Sequence, residues 1–391
     1  MSFLIISHNS RTLLSCKFVL NAIKLPKDEK RKFYTEEYLE LTEFRERRKD
    51  LLSSISDREI FKQDLKSLNQ TQLTSKQTLE FIHIARENDD KVYMDELIDT
   101  LFTYDCVRFS DFFRRHLLKT YLSICYDQDL TRRASQLFDI SLKENSLNRS
   151  YIRRLYLALL FKQELYNEIL EAYSKVNRYK HEDFVNIVTT LYKMNTDESL
   201  EKAYSILDIY RNLYETSFLR CELIVALFAI ERQQYQRAIQ QLRQLLDSDP
   251  NSMTLNLLIF ALLKNGEIVE ALKMLKLCTK SHIRKYLKPL ELNNQVLKYL
   301  STMIKDLNNS EIQEDLKKTE KTLINFAKFS DQSLSKVIIK PISSSNLGLN
   351  NESKLIELSA LNVKSAQQKK WCDEMIKIMF LPDPKEYKSM I

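Results

Sequence analysis

Leu223-Ile224-Val225-Ala226-Leu227-Phe228-Ala229-Ile230, then Tyr235-Gln236-Arg237-Ala238-Ile239, Leu242, Leu245 and Asp249-Pro250-Asn251, make up the stretch that decides the fold. An apolar run of helical length is followed by a short polar break and then by an amphipathic segment, so the stretch predicts two antiparallel helices joined by a turn. The same design follows at once in Met253-Thr254-Leu255-Asn256-Leu257-Leu258-Ile259, Lys264-Asn265-Gly266 and Glu270-Ala271-Leu272-Lys273-Met274-Leu275, ending at Cys278.

Working upstream, the alanine of the second helix marks a register. Ala134, Ile169, Ala203, Ala238 and Ala271 follow one another at intervals of 35, 34, 35 and 33 residues. Four positions later stand Phe138, Tyr173, Leu207, Leu242 and Leu275, and twelve positions earlier stand Leu122, Leu157, Leu191, Ala226 and Ile259. A single amphipathic helix explains one apolar column, but it does not explain a kept interval. A helix pair that cannot bury its own apolar face stacks on the next pair, which makes a constant interval the mark of a solenoid. The expected fold is therefore all-α, a right-handed superhelix of roughly 35-residue helix-turn-helix repeats with a further C-terminal helix. Ile169 departs from the small residue that lets two helices approach closely, and its repeat is the least regular.

Composition agrees. The 391 residues are 44% apolar and contain two glycines, Gly266 and Gly348. Phosphate-cradling loops, doubly wound sheets and tight hairpins all use glycine at positive φ, so this composition excludes most of them. The six cysteines form no CxxC pair, and the histidines His8, His83, His116, His181 and His282 sit at no ligand spacing, so no metal site, cofactor site or catalytic constellation is expected. No apolar run is long enough to span a bilayer, which implies a soluble protein without a transmembrane segment.

Five segments follow from the pattern. Residues 1–27 hold Arg11, Lys17, Lys24 and Lys27 and no acid, the composition of a mitochondrial targeting peptide, and the expected location is the matrix. Without them the net charge falls from +7 to +3, so the rest of the chain is weakly basic and gives little electrostatic support for a nucleic-acid partner. Residues 28–73 are densely charged with mixed signs and read as a solvated helical lead-in. The repeat array is expected over 74–329, with helices near Thr74 to Arg86 and Val92 to Tyr104 before the marked repeats and one more pair between Leu290 and Phe329. Residues 330–353, rich in Ser and Asn, read as a partly ordered linker. Residues 354–391 carry a last helix with the lone tryptophan, Trp371, beside Met375 and Ile378; this helix either caps the open end of the array or docks a partner helix.

The repeat ending at Asn251 resembles the tetratricopeptide repeat through Ala226, Tyr235, Ala238 and Pro250. The next one resembles the pentatricopeptide repeat through Thr254, Asn256, Leu258, Ile259, Gly266, Glu270, Ala271 and Leu272. The first resemblance implies a binder of proteins and peptides. The second implies a binder of single-stranded RNA in mitochondria, one base per repeat. By that resemblance Asn256, fifteen residues before its marker, faces a base, but Lys119, Arg154, Val188 and Leu223 at the equivalent positions form no base-reading series. An RNA strand would instead be held at its phosphates by Arg115, Lys119, Arg153 and Arg154, with base contact at Asn256 and binding that weakens steeply with salt. Two functions stand side by side: a non-enzymatic RNA-associated factor in mitochondrial messenger-RNA processing, stability or translation, and a protein-binding adaptor or assembly factor whose partner is, for example, the mitochondrial ribosome.

Overall fold

The computed structural model describes residues 33–55, 58–67, 74–84, 111–143, 149–176, 179–214, 218–280, 290–307 and 309–341. Among these the chain is an all-α helical-repeat solenoid, divided into two compact blocks, Arg31–Asn177 and Arg178–Lys340.

In the first block, α1 (Leu41–Ser54), α2 (Arg58–Ser67) and α3 (Ser75–Ile84) precede the repeat helices α4 (Asp111–Asp127), α5 (Thr131–Lys143), α6 (Arg149–Lys162) and α7 (Tyr166–Ser174). Helix α5 packs against both α4 and α6, and α4 and α6 also touch each other.

The second block continues the pattern with α8 (His181–Met194), α9 (Asp197–Tyr214), α10 (Leu219–Glu231), α11 (Tyr235–Ser248), α12 (Ser252–Lys264) and α13 (Ile268–Leu277). It then adds β1 (Glu291–Asn293), α14 (Asn294–Asp306), α15 (Ser310–Ile324), β2 (Lys328–Ser330) and α16 (Leu334–Ile338). Each second helix wedges between two first helices: α9 between α8 and α10, α11 between α10 and α12, α13 between α12 and α14. The first helices α8, α10, α12 and α14 touch in sequence and form a continuous row.

The three sequence columns are the seams of this packing. Ala134, Ile169, Ala203, Ala238 and Ala271 are completely buried, and every member of the other two columns is buried as well. Helix α11 shows the reason: Ala238, Ile239, Leu242 and Leu245 face inward while Gln236, Gln240, Arg243 and Gln244 stay in water, the stripe expected of a helix packed on one side. Helices α10 and α12 differ. Cys221 to Ile230 and Thr254 to Leu263 are buried without interruption, so both helices are covered all round.

Side-chain caps mark several starts. The Asn251 side chain accepts from the Thr254 N–H at 2.8 Å, Asn293 caps α14, Asn309 caps α15 and Ser333 caps α16. The turns inside the repeats share a backbone device. Asp129, Glu164, Gln233 and Gly266, each five residues before its marker, all have positive φ, and in the remaining repeat Asn195 takes this conformation three residues earlier.

One expectation needs correction, and two others gain detail. The lead-in is not merely solvated: Phe33, Tyr34, Leu39, Leu41 and Phe44 are buried, because apolar anchors sit among the charges and dock on repeat helices. The helix pair expected between Leu290 and Phe329 is present as α14 and α15, and it is flanked by two short strands that the sequence did not announce, β1 and β2 pairing in parallel with Leu292 opposite Phe329. Within residues 330–353, read as a partly ordered linker, the described part holds α16, which buries Leu334 and Ile338. The helix expected over 92–104, the targeting segment 1–27, and the C-terminal helix with Trp371, Met375 and Ile378 lie outside the described residues.

Candidate interaction surface

In the first block, Lys119 on α4 and Arg153 and Arg154 on α6 sit on touching helices, with Arg115 one turn before Lys119. Only Arg115 is well exposed. The Lys119 ammonium pairs with the Glu40 carboxylate and lies 4.7 Å from the centre of the Tyr151 ring. The Arg154 guanidinium stands 4.6 Å from the centre of the Tyr38 ring, and Arg153 is buried. The segment carrying Tyr38 and Glu40 is fastened further by the Tyr151 hydroxyl, which donates to the Leu39 carbonyl at 2.6 Å, and by Phe33 stacked on Phe161. Burial raises the pKa of Tyr151, so this hydroxyl remains a donor. Arg45 adds ion pairs to Glu36 at 2.6 Å and Asp127 at 2.7 Å. Lys119 and Arg154, expected to hold phosphates, thus hold the chain's own lead-in, and Arg153 lies in the interior.

Asn256 is placed in the second block and has a different task from the one expected. Its amide nitrogen donates to the Ser252 and Glu291 carbonyls at 2.6 and 2.8 Å, and its oxygen accepts from the Asn293 N–H at 2.8 Å. The residue is buried and fastens β1 to α12. The column fifteen residues before the marker is therefore interior at Val188, Leu223 and Asn256 and engaged by residues 38–40 at Lys119 and Arg154.

Sequence reasoning missed the groups that organise this block. Glu222, buried on α10, receives two hydrogen bonds from Arg211 on α9, both at 2.7 Å, and one from Gln241 on α11 at 2.6 Å. Three helices are locked in register by one carboxylate. A glutamate inside an otherwise apolar run was the signal, since a carboxylate in such a helix needs paired donors. Also missed was the segment 328–340, whose helix α16 packs against α10. Among the described residues no group of His, Cys, Asp and Glu is placed to hold a metal ion, and no helix is long and apolar enough to cross a membrane.

The family described as Tetratricopeptide repeat matches residues 229–281, from the end of α10 through α11, α12 and α13. Over these residues the chain resembles the tetratricopeptide repeat, and the described residues form a helical-repeat array. Neither the curated proteins nor the solved structures contain a match to it. Repeats of this kind form interaction scaffolds for proteins or other macromolecules and are typically non-catalytic.

Proposed function

We propose that this tetratricopeptide-like protein is a non-enzymatic adaptor or assembly factor in mitochondria, whose repeats hold a polypeptide partner. The observation that carries the reading is the interior column at Val188, Leu223 and Asn256 together with the pairing of Lys119 and Arg154 to residues 38–40. A base-reading array needs that column facing a strand, and a phosphate-binding face needs its cations toward solvent. The tetratricopeptide match over 229–281 supports a protein partner. The acid-free segment 1–27 supports the mitochondrial address.

The test is crosslinking in living cells, with the attached RNA sequenced in one arm and proteins retained after nuclease treatment identified in the other. The adaptor reading expects a stoichiometric protein partner in the second arm and no enriched transcript in the first. Enrichment of one or a few mitochondrial transcripts, crosslinked through α4 or α6, would overturn it in favour of the RNA-associated factor. Fluorescence of the tagged full chain outside mitochondria would refute the address independently.

A further inference from the structure

Helix α10 is buried all round, and its neighbours within the repeats are α8, α9, α11 and α12. Among the described residues α16, which belongs to no repeat, also packs against α10 and adds to its cover. The segment reaches this position by a short extended stretch, with β2 running parallel to β1 over three residues and the Lys328 N–H donating to the Leu290 carbonyl at 2.9 Å. It turns at Ser333, whose side chain accepts from the Lys336 N–H at 3.2 Å, and then buries Leu334 and Ile338, one helical turn apart, with Ile339 beside them.

Several fastenings between the segment and the block are made to its backbone. Asn293 donates to the Gln332 carbonyl at 2.5 Å and Arg220 donates to the Lys340 carbonyl. Asn294 also donates to the Asp331 carboxylate, side chain to side chain, at 3.0 Å. The side chains of the strand itself, Lys328 and Phe329, face solvent. A helix of five residues has no stability of its own, so α16 holds its shape only while seated. A surface that reads backbone in a strand and two aliphatic side chains in a helical turn accepts any polypeptide that offers the same arrangement.

We propose that the surface of α10 and β1 is a docking site for a polypeptide partner, and that residues 328–340 occupy it as an internal stand-in. The partner segment has the same design: a few extended residues that pair beside 291–293, a capping Ser, Thr, Asp or Asn, and a helical turn with aliphatic residues at i and i+4. The inference rests on the scaffold reading above and adds the seat and the chemistry of its occupant. Displacement of the stand-in by the partner makes binding competitive, because the tethered segment keeps a high effective concentration at the seat.

The probe is a fluorescein-labelled synthetic peptide with the sequence of residues 327–341, titrated with the full chain by fluorescence anisotropy. With the stand-in closed nine-tenths of the time or more, the wild-type chain binds the peptide about tenfold or more weakly than a chain carrying Leu334→Ala and Ile338→Ala. A peptide carrying the same two alanines binds neither chain. Equal binding by both chains, or binding by neither, overturns the proposal. Hydrogen exchange on the wild-type chain checks the same point without a substitution. The amides of 334–339 exchange about tenfold or more faster than those of 224–230 if the segment opens alone, and protection equal to that of α10 refutes it. Failure here alongside a protein partner in the crosslinking experiment leaves the scaffold standing and removes this seat. An enriched transcript instead removes the scaffold, whatever the peptide does.

Discussion

The turns inside the repeats offer the sharpest test of the register. Gly266 has φ of 83° and Gln233 has φ of 63°, at the same position five residues before the marker. For an L-residue this region costs about 1–2 kcal/mol, whereas glycine enters it freely but gives up about 0.5–1 kcal/mol more chain entropy on folding. The difference leaves about 0.5–1 kcal/mol per turn. A side chain at Gly266 meets nothing within 4 Å, so Gly266→Ala is destabilising through conformation alone, without a clash. Gln233 is exposed and lies outside both helices, so Gln233→Gly is expected to be stabilising by about the same amount. In a block of this size each change moves the thermal midpoint by about 1–4 °C, downward for Gly266→Ala and upward for Gln233→Gly. Asn195→Gly serves as the control, because asparagine tolerates this region and little is gained. Calorimetry on the purified full chain reads all three. A midpoint lowered by Gln233→Gly, or left unchanged by Gly266→Ala, would refute the reasoning, since the shared register would then carry no shared strain.

Asn256→Ala leaves the Glu291 carbonyl and Asn293 N–H without their partner and is expected to lower stability by about 1–3 kcal/mol in chemical denaturation; a base-reading residue would leave stability unchanged. Arg211→Ala strands the Glu222 carboxylate in the interior with Gln241 as its remaining side-chain donor. A loss of about 3–5 kcal/mol is expected, partly recovered when Glu222→Gln is added, and a double variant no better than the single one would refute the pairing. His83, stacked on Phe44, has its pKa lowered from 6.5 to about 4, chiefly by burial and further by Arg48. The unfolded chain therefore binds the proton first, and the first block loses stability as pH falls from 6.5 toward 4; His83→Phe should flatten that dependence in denaturation midpoints measured across the range.

The repeats were legible because stacking imposes the same burial on every unit. Ala134, Ala203, Ala238 and Ala271 lie in a seam that favours a small group, and a requirement repeated at a fixed interval survives in the sequence even where neighbouring residues drift. Ile169, the exception, is buried just as completely, so size at this position is negotiable and burial is not. The turn register was legible only where glycine marks it, at Gly266. At Glu164 and Gln233 the same backbone is imposed by the helices on either side, and the residue itself gives no sign of it.

The lead-in was misjudged because a charge count averages over positions. Phe33, Leu39, Leu41 and Phe44 are too few and too unevenly spaced to raise a helical period, yet each is an anchor in a site made by other helices. Strands of three residues and a helix of five carry no period at all, so β1, β2 and α16 exist through tertiary contact alone. Spacing alone is equally blind to what the basic residues face. Lys119 and Arg154 have the spacing of a phosphate-binding face, but spacing does not say whether the face opens on solvent or on Glu40 and Tyr38, far earlier in the chain.

Helix α10 also places a requirement on the rest of the chain. A helix that is apolar on every side cannot stand in a row with one side open to water, since each exposed Leu, Ile or Phe would forgo about 1.5–3 kcal/mol. Leu223 to Ile230 has no polar side, in contrast to α11 with Gln236, Gln240 and Gln244. Some element therefore has to cover α10 beyond the helices of its own repeats, although nothing in Leu223 to Ile230 points to residues 334–339. The same requirement limits any partner. A segment that displaces α16 must return at least the apolar cover of Leu334, Ile338 and Ile339, so a wholly polar or charged ligand is excluded from this seat however basic or acidic its surroundings.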